Sequence, residues 1–367
     1  MASKKTLTPY KLGNITLDNR VVMAPMTRSR AIGNVPNNLI AEYYEQRASA
    51  GLIITEGVSP SPNGLGYARI PGLFSDDQVE GWKLVTQSVH DRGGKIFAQI
   101  MHTGRIGHTN NLPDGAFLLS PSAVHAPGQI WTDAEGMQEH SSPKAMTLEE
   151  IELTKAEYVR AARNAVEAGF DGIELHGANG YLLEQFLSPH SNQRNDLYGG
   201  SIENRTRFVL EVAREISDVI GKEKTAIRLS PYGVFNEMPH YDEIDATYTY
   251  LARELNGIGI AYIHIVDHSS GGAPEVPLAI KKAIRAEFKN TIILSGGYTL
   301  AVAESDVTSG FADLVAFGKP FISNPDLVER FAKGFPLNIK LDASTLYSPG
   351  AKGFTDYPVF EEETVSA

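Results

Sequence analysis

The stretch TLEEIELTKAEYVRAARNAVEAGFDGIELHGANGY, residues 147–181, decides how the chain is read. Thr147 stands three residues before Glu150, the T-x-x-E pattern in which each side chain caps the other's backbone N–H, so a helix starts here. Ile151, Tyr158, Ala162 and Val166 then recur at helical spacing and predict one buried face, ended at Gly169. The run Gly172-Ile173-Glu174-Leu175 follows, short and mostly apolar, as in a strand covered on both faces. A capped helix feeding such a strand is half of a parallel β/α unit.

The unit repeats along the chain. Comparable runs occur at Arg20 to Ala24, Leu52 to Thr55, Lys95 to Ile100, Ala226 to Leu229, Tyr262 to Val266, Thr291 to Leu294 and Leu314 to Phe317, which with Gly172 to Leu175 makes eight. Between them, Ser201 caps a helix through Phe208, Val212 and Ile216 to Gly221, and another runs from Asp242 through Tyr248, Leu251 and Leu255 to Gly257. Eight parallel strands with right-handed crossovers close into an α/β (β/α)₈ TIM barrel, and no linker divides it, so residues 1–367 read as one elaborated domain. Two regions depart from the pattern. Gly13-Asn14 between apolar neighbours predicts an N-terminal hairpin lid on the barrel bottom, and Met101 to Met146, after the third strand, is a long insertion with several prolines and glycines, placed to fold over an active site.

Composition narrows the chemistry. A net charge of −11, without a basic cluster, disfavours nucleic acid and anionic membranes as partners. The start MASKKTLTPY has no apolar run behind its lysines, so a cytoplasmic protein is expected, a monomer or a homodimer. With no cysteine, thiol nucleophiles, disulfides and iron–sulfur clusters are excluded, and redox chemistry has to come from a bound organic cofactor or a non-thiolate metal.

In such a barrel the active site lies at the carboxyl ends of the strands. Following each run to its end collects Pro25, Met26 and Thr27, then Gly57, Gln99, His176, Asn179, Tyr181 and Arg228, and finally Gly296-Gly297 and Gly318-Lys319. The glycine pairs fit either tight turns or backbone cradles for a phosphate, with Lys319 as a point charge. Arg228, inside an apolar strand, calls for either a structural ion pair or an anionic ligand. The planar amide of Gln99 suits a neighbour's backbone or a heterocycle with alternating donors and acceptors.

Six ordered motifs, APMTRSRA (24–31), AQIMHTGR (98–105), HGANGYLLEQFLSPHSNQRNDLYGGSIENRTRF (176–208), IRLSP (227–231), ISNPDL (322–327) and YSPGAKGFTDYP (347–358), resemble the old yellow enzyme family, with bacterial N-ethylmaleimide and pentaerythritol tetranitrate reductases as similar members. The resemblance implies an FMN-binding barrel that works as an NADPH dehydrogenase or alkene reductase. NADPH or NADH reduces the non-covalent FMN, leaves, and is replaced by an activated alkene such as an α,β-unsaturated ketone, aldehyde or maleimide, or by a nitro compound. It further implies that Thr27 bonds the flavin O4, that Pro25, Met26 and Gly57 line the ring, that Gln99 and Arg228 hold its pyrimidine edge, and that Gly296, Gly297, Gly318 and Lys319 cradle the phosphate. His176 and Asn179 correspond to the family's carbonyl-binding donors and Tyr181 to its proton donor, with Tyr67, Met101, Phe235 and Tyr347 as pocket residues.

The chain departs from the family pattern at three positions. Lys319 replaces an arginine of many members, Met101 a tryptophan of close ones, and Asn179 gives a His/Asn donor pair as in the yeast members. His102, His264, Asp267 and His268 fit no standard metal spacing and read as hydrogen-bonded structure, and the tail FEEETVSA (360–367) as a solvated end. Two rival readings are a cofactor-free phosphate-binding isomerase or lyase, which would be colourless, and a flavin carrier without turnover.

Overall fold

In the computed structural model, which describes residues 4–361, eight strands close a parallel barrel. They are β1 Val21–Met23, β2 Leu52–Val58, β3 Ile96–Ile100, β4 Gly172–Gly177, β5 Thr225–Leu229, β6 Tyr262–Val266, β7 Thr291–Ser295 and β8 Leu314–Phe317. Each pairs with its successor, and β8 returns to β1 with Phe317 opposite Met23. The eight apolar runs are therefore the eight staves, and uninterrupted burial along them reflects cover on both faces.

Two strands run further than their apolar letters. β2 continues past Thr55 to Val58 across a register shift between Ile54 and Gly57, and β4 carries His176 and Gly177 within the strand. Pairing then sets Gly57 beside Gln99, Gln99 beside Glu174, His176 beside Arg228 and Arg228 beside His264. Polar side chains are thus stacked toward the carboxyl end while apolar ones fill the rest.

The amino end is closed by the predicted hairpin. Tyr10–Leu12 pairs antiparallel with Ile15–Leu17, and Leu12 and Leu17 are fully buried with Val22, Ile54, Phe97, Ala226 and Leu314 inside the barrel. Burying each leucine contributes roughly 2 kcal/mol.

Outside, the helix Leu148–Glu167 begins with the Thr147/Glu150 capping box, both reciprocal bonds being present. Its inward face is Ile151, Thr154, Tyr158, Ala161, Ala162 and Ala165; Val166, expected on that face, is 38% exposed because one position of helical rotation carries it past the contact. Ser201 caps Ile202–Ile220, which stops at Gly221 as expected. The next helix, Ile244–Ile258, passes through Gly257 and stops at Gly259 (φ 83°), whose left-handed conformation makes it the terminator. No helix among the described residues is long and apolar enough to cross a membrane.

The insertion is not structureless. Leu119–Ser120 pairs with Lys144–Ala145, and Gln129–Thr132 forms a hairpin with Gly136–Glu139. At the chain's end, Phe360 departs from the expectation of a solvated tail: its ring lies 4.2 Å from Phe335 and its N–H donates to Asp326 (2.7 Å). The remainder of that tail, residues 362–367, lies outside the described residues.

Candidate active site

The carboxyl end of the barrel opens into a cavity of about 850 Å³. Its floor and walls include Pro25, Thr27, Gln99, Met101, His176, Asn179, Tyr181 and Arg228, and its mouth includes Tyr67, Phe235 and Tyr347. Met26, Gly57, Gly296, Gly297, Gly318 and Lys319 lie outside this lining. Met26 packs against the hydrophobic core. A side chain at Gly57 would strike Met101, its Cβ falling 2.5 Å from the thioether, so this glycine makes room for a neighbour that lines the cavity.

The glycine loops have different reasons for their composition. Gly296 (φ 132°) lies so close to Asp267 that a Cβ would fall 2.3 Å from its carbonyl oxygen, and Gly297 (φ 66°) is similarly crowded by Ser270. Packing alone demands both residues. Gly318 is different, because a Cβ there would meet only Met26 at an ordinary 3.5 Å. Its missing side chain leaves open space beside the exposed Lys319.

Why one strand end carries a histidine, an amide and a phenol follows from the backbone. Asn179 (φ 59°) and Gly180 (φ 74°) are both left-handed, so the chain doubles back after β4 and returns Asn179 and Tyr181 to the cavity that His176 already faces. Asparagine tolerates this conformation better than most residues, and at 180 a Cβ would fall 2.8 Å from the Phe235 carbonyl. The turn is tied down from below: Glu184 Oε2 accepts from Gly180 N–H (2.5 Å), and Oε1 accepts from Ser230 Oγ (2.6 Å) and Tyr248 OH (2.8 Å). Glu184 is buried without a cationic partner among the described residues, and burial pushes its carboxyl up to about 7 although all three donors pull it down.

Electrostatics separate the polar groups by role. Burial, reinforced by Arg228, holds the His176 imidazole well below its usual range, so it is neutral, and among the described residues its Nδ1 has no hydrogen-bond partner. Burial raises Tyr181, which therefore stays protonated; its hydroxyl lies 2.9 Å from that of Tyr67, and its ring meets His176 edge-on at 4.8 Å. Gln99 donates from Nε2 to Glu174 (2.7 Å), which leaves its amide oxygen as an acceptor. Arg228 is 6% exposed, its Nε is buried without a partner, and among the described residues its guanidinium makes no hydrogen bond or ion pair. Of the two readings of this arginine, the structural salt bridge is absent.

The other histidines are hydrogen-bonded. His102 Nδ1 accepts from Gly104 N–H (3.1 Å), and His264 bridges Glu174 (2.9 Å) and Ser295 (2.9 Å). Asp267 receives Lys281 (2.8 Å), while His268 Nε2 reaches Asn179 Oδ1 (2.8 Å). The insertion lies over the cavity as expected, but the residues it contributes beyond Met101 were not singled out from the sequence: Gln129, Ile130, Trp131, Asp133 and Met137 all line the cavity, and Asp133 pairs with Arg69 at its mouth. On this hairpin Trp131 and Met137 are left half-exposed.

Residues 5–338 match the model of the NADH:flavin oxidoreductase / NADH oxidase family. The chain is 40% identical to a probable flavin mononucleotide-dependent alkene reductase of Leishmania infantum, covering 96% of each. Among solved structures it is similar to the old yellow enzyme homologue from Zymomonas mobilis (41% identity, 97% of this chain and 100% of that one, TM-score 0.92). It is also similar to morphinone reductase in complex with tetrahydroNAD (42% identity, 98% of each chain, TM-score 0.92).

Proposed function

Because the chain belongs to the NADH:flavin oxidoreductase / NADH oxidase family, we propose that this cavity is its active site and that His176, Asn179 and Tyr181 divide the work of reducing an activated alkene. The protein is an FMN-dependent NAD(P)H oxidoreductase of the old yellow enzyme type, an ene-reductase. FMN, when bound, would supply hydride chemistry between NAD(P)H and the β-carbon of an α,β-unsaturated carbonyl compound or maleimide.

The observation that carries the assignment is the unpartnered Arg228. A permanent charge buried without a hydrogen-bonded counter-ion is costly, Glu174 acting on it only through longer-range attraction, and a flavin ring edge that gains negative charge on reduction would give it a direct partner. Gln99, whose Nε2 is committed to Glu174, would accept from a ring N–H with its amide oxygen. Thr27 and Pro25 line the same cavity and Gly318 leaves space near Lys319, which suits a ring held at one end and a phosphate at the other.

On the substrate side, neutral His176 and the amide of Asn179 bind the carbonyl oxygen, which gains negative charge as hydride arrives at the β-carbon. Donors fixed before the reaction stabilise that charge more than they stabilise the ground state. Tyr181, kept protonated by burial, gives its proton to the α-carbon, and the Tyr67 hydroxyl 2.9 Å away stabilises the phenolate left behind. The match to a flavin oxidoreductase family stands against a cofactor-free phosphate-binding isomerase or lyase, and a flavin carrier leaves this donor set idle. Under nitrogen, NAD(P)H consumption should require 2-cyclohexenone or an N-substituted maleimide and yield one saturated product per nicotinamide oxidised; consumption without alkene reduction would refute the assignment.

A further inference from the structure

Asn179 has four hydrogen-bonding groups, and the structure commits three of them. Its backbone N–H donates to Ser230 Oγ (2.9 Å), its carbonyl accepts from Asn236 Nδ2 (2.8 Å), and its side-chain oxygen lies 2.8 Å from His268 Nε2. Among the described residues only the side-chain NH₂ is left without a partner, on a residue that lines the cavity.

A primary amide turned over by half a rotation exchanges its oxygen for its nitrogen at almost no steric cost. In an active site that exchange is decisive, because an NH₂ attracts a carbonyl oxygen and an amide oxygen repels it. We propose that His268 is a positioning residue that sets this polarity: by donating its Nε2 hydrogen to Asn179 Oδ1, it keeps the NH₂ directed into the cavity. The inference rests on the reading of Asn179 as a carbonyl donor.

The surroundings of His268 support the assignment. The ring is half-buried, and the Phe235 ring lies against it at 5.8 Å with a 32° tilt. The preceding residue, Asp267, is fixed by Lys281 Nζ (2.8 Å), Ser269 N–H (2.9 Å) and Val276 N–H (3.2 Å), so the strand end that presents His268 is itself held. Burial lowers the imidazole to about 4, so near neutrality the ring is uncharged and its tautomer, not its charge, determines which partner it accepts. A hydrogen on Nε2 selects the amide oxygen; a lone pair there would select the NH₂ and turn the oxygen toward the substrate.

Two substitutions of nearly equal size separate polarity from bulk. His268→Gln retains an N–H for Asn179, whereas at pH 8 His268→Glu offers only an acceptor. Both are compared with Asn179→Ala for enone KM and kcat under nitrogen, with bound FMN and thermal midpoint as folding controls. The Glu variant should raise the KM for 2-cyclohexenone roughly tenfold or more, toward the Asn179→Ala value, at unchanged FMN content, while the Gln variant stays within about threefold of the parent. If Asn179→Ala weakens the enone step but the Gln and Glu variants are indistinguishable, His268 acts by bulk alone and the inference is overturned. An unchanged KM in Asn179→Ala overturns the role of Asn179 itself, and the inference with it.

Discussion

Glu184→Gln removes one buried ionisable group from beneath the active-site turn and keeps its shape. In the parent, burial raises the carboxyl from 4.5 in the unfolded chain to about 7 in the folded one. A group with a raised folded pKa binds its proton more tightly in the native state, so its contribution favours folding below pH 4.5 and is lost as pH climbs through 7. At 1.36 kcal/mol per pKa unit, that interval amounts to roughly 3 kcal/mol between acid and pH 8. The glutamine is uncharged throughout and contributes no such slope. Urea denaturation of both proteins at pH 5, 6, 7 and 8, in excess FMN, yields the difference in unfolding free energy at each pH. Glu56, another buried carboxyl raised to about 7, is present in both and cancels in that difference. The parent's stability relative to the variant should fall by about 2–3 kcal/mol from pH 5 to pH 8. A difference independent of pH would show that the three donors outweigh burial and that Glu184 is ionised in the folded state at all these pH values, refuting the reasoning.

Arg228→Met replaces a buried guanidinium that makes no hydrogen bond among the described residues with an apolar side chain of similar length, so FMN retention through gel filtration should drop at least about tenfold while the flavin-free protein unfolds no earlier than the parent. Earlier unfolding of the flavin-free variant would mean that the arginine is paired within the protein. Gly104→Ala would place a Cβ 2.1 Å from Gln185 Oε1 at a residue with φ 66°, and Gln185 also bonds Thr103 O and Gly180 O; a loss of about 2 kcal/mol or more in chemical denaturation is expected, and a neutral result would show that this contact relaxes freely.

The barrel was legible because strands buried on both faces read as uninterrupted apolar runs and helices announce their ends with caps. The Thr147/Glu150 box and the Gly221 terminator lie where their local chemistry puts them. The last residues of β2 were not legible, since Glu56 and Gly57 interrupt the apolar pattern at a bulge. The insertion's hairpin escaped for a related reason: Gln129–Thr132 alternates exposed and buried over only four residues, too short a signal to stand out among turns. Pro25, Thr27, Gln99, His176, Asn179, Tyr181 and Arg228, named from position and motif alone, share one cavity. Residues that act through another residue were not legible in this way. Glu184 meets Ser230 across 46 residues, and His268 meets Asn179 across 89, so each acquires its role only when barrel closure joins distant strands. Gly296 and Gly297 show the opposite limit: a conspicuous glycine pair has a packing reason visible only in three dimensions.

The division of labour at residues 176–181 is tested most directly by following flavin absorbance through the two half-reactions under nitrogen in the parent and in Tyr181→Phe. NAD(P)H should bleach the flavin in both proteins at similar rates, and an enone should restore the colour rapidly in the parent but at least about tenfold more slowly in the variant, because only the second half-reaction needs the phenolic proton. Equal recovery of colour in the two proteins, or a protein that holds no flavin at all, would contradict the account.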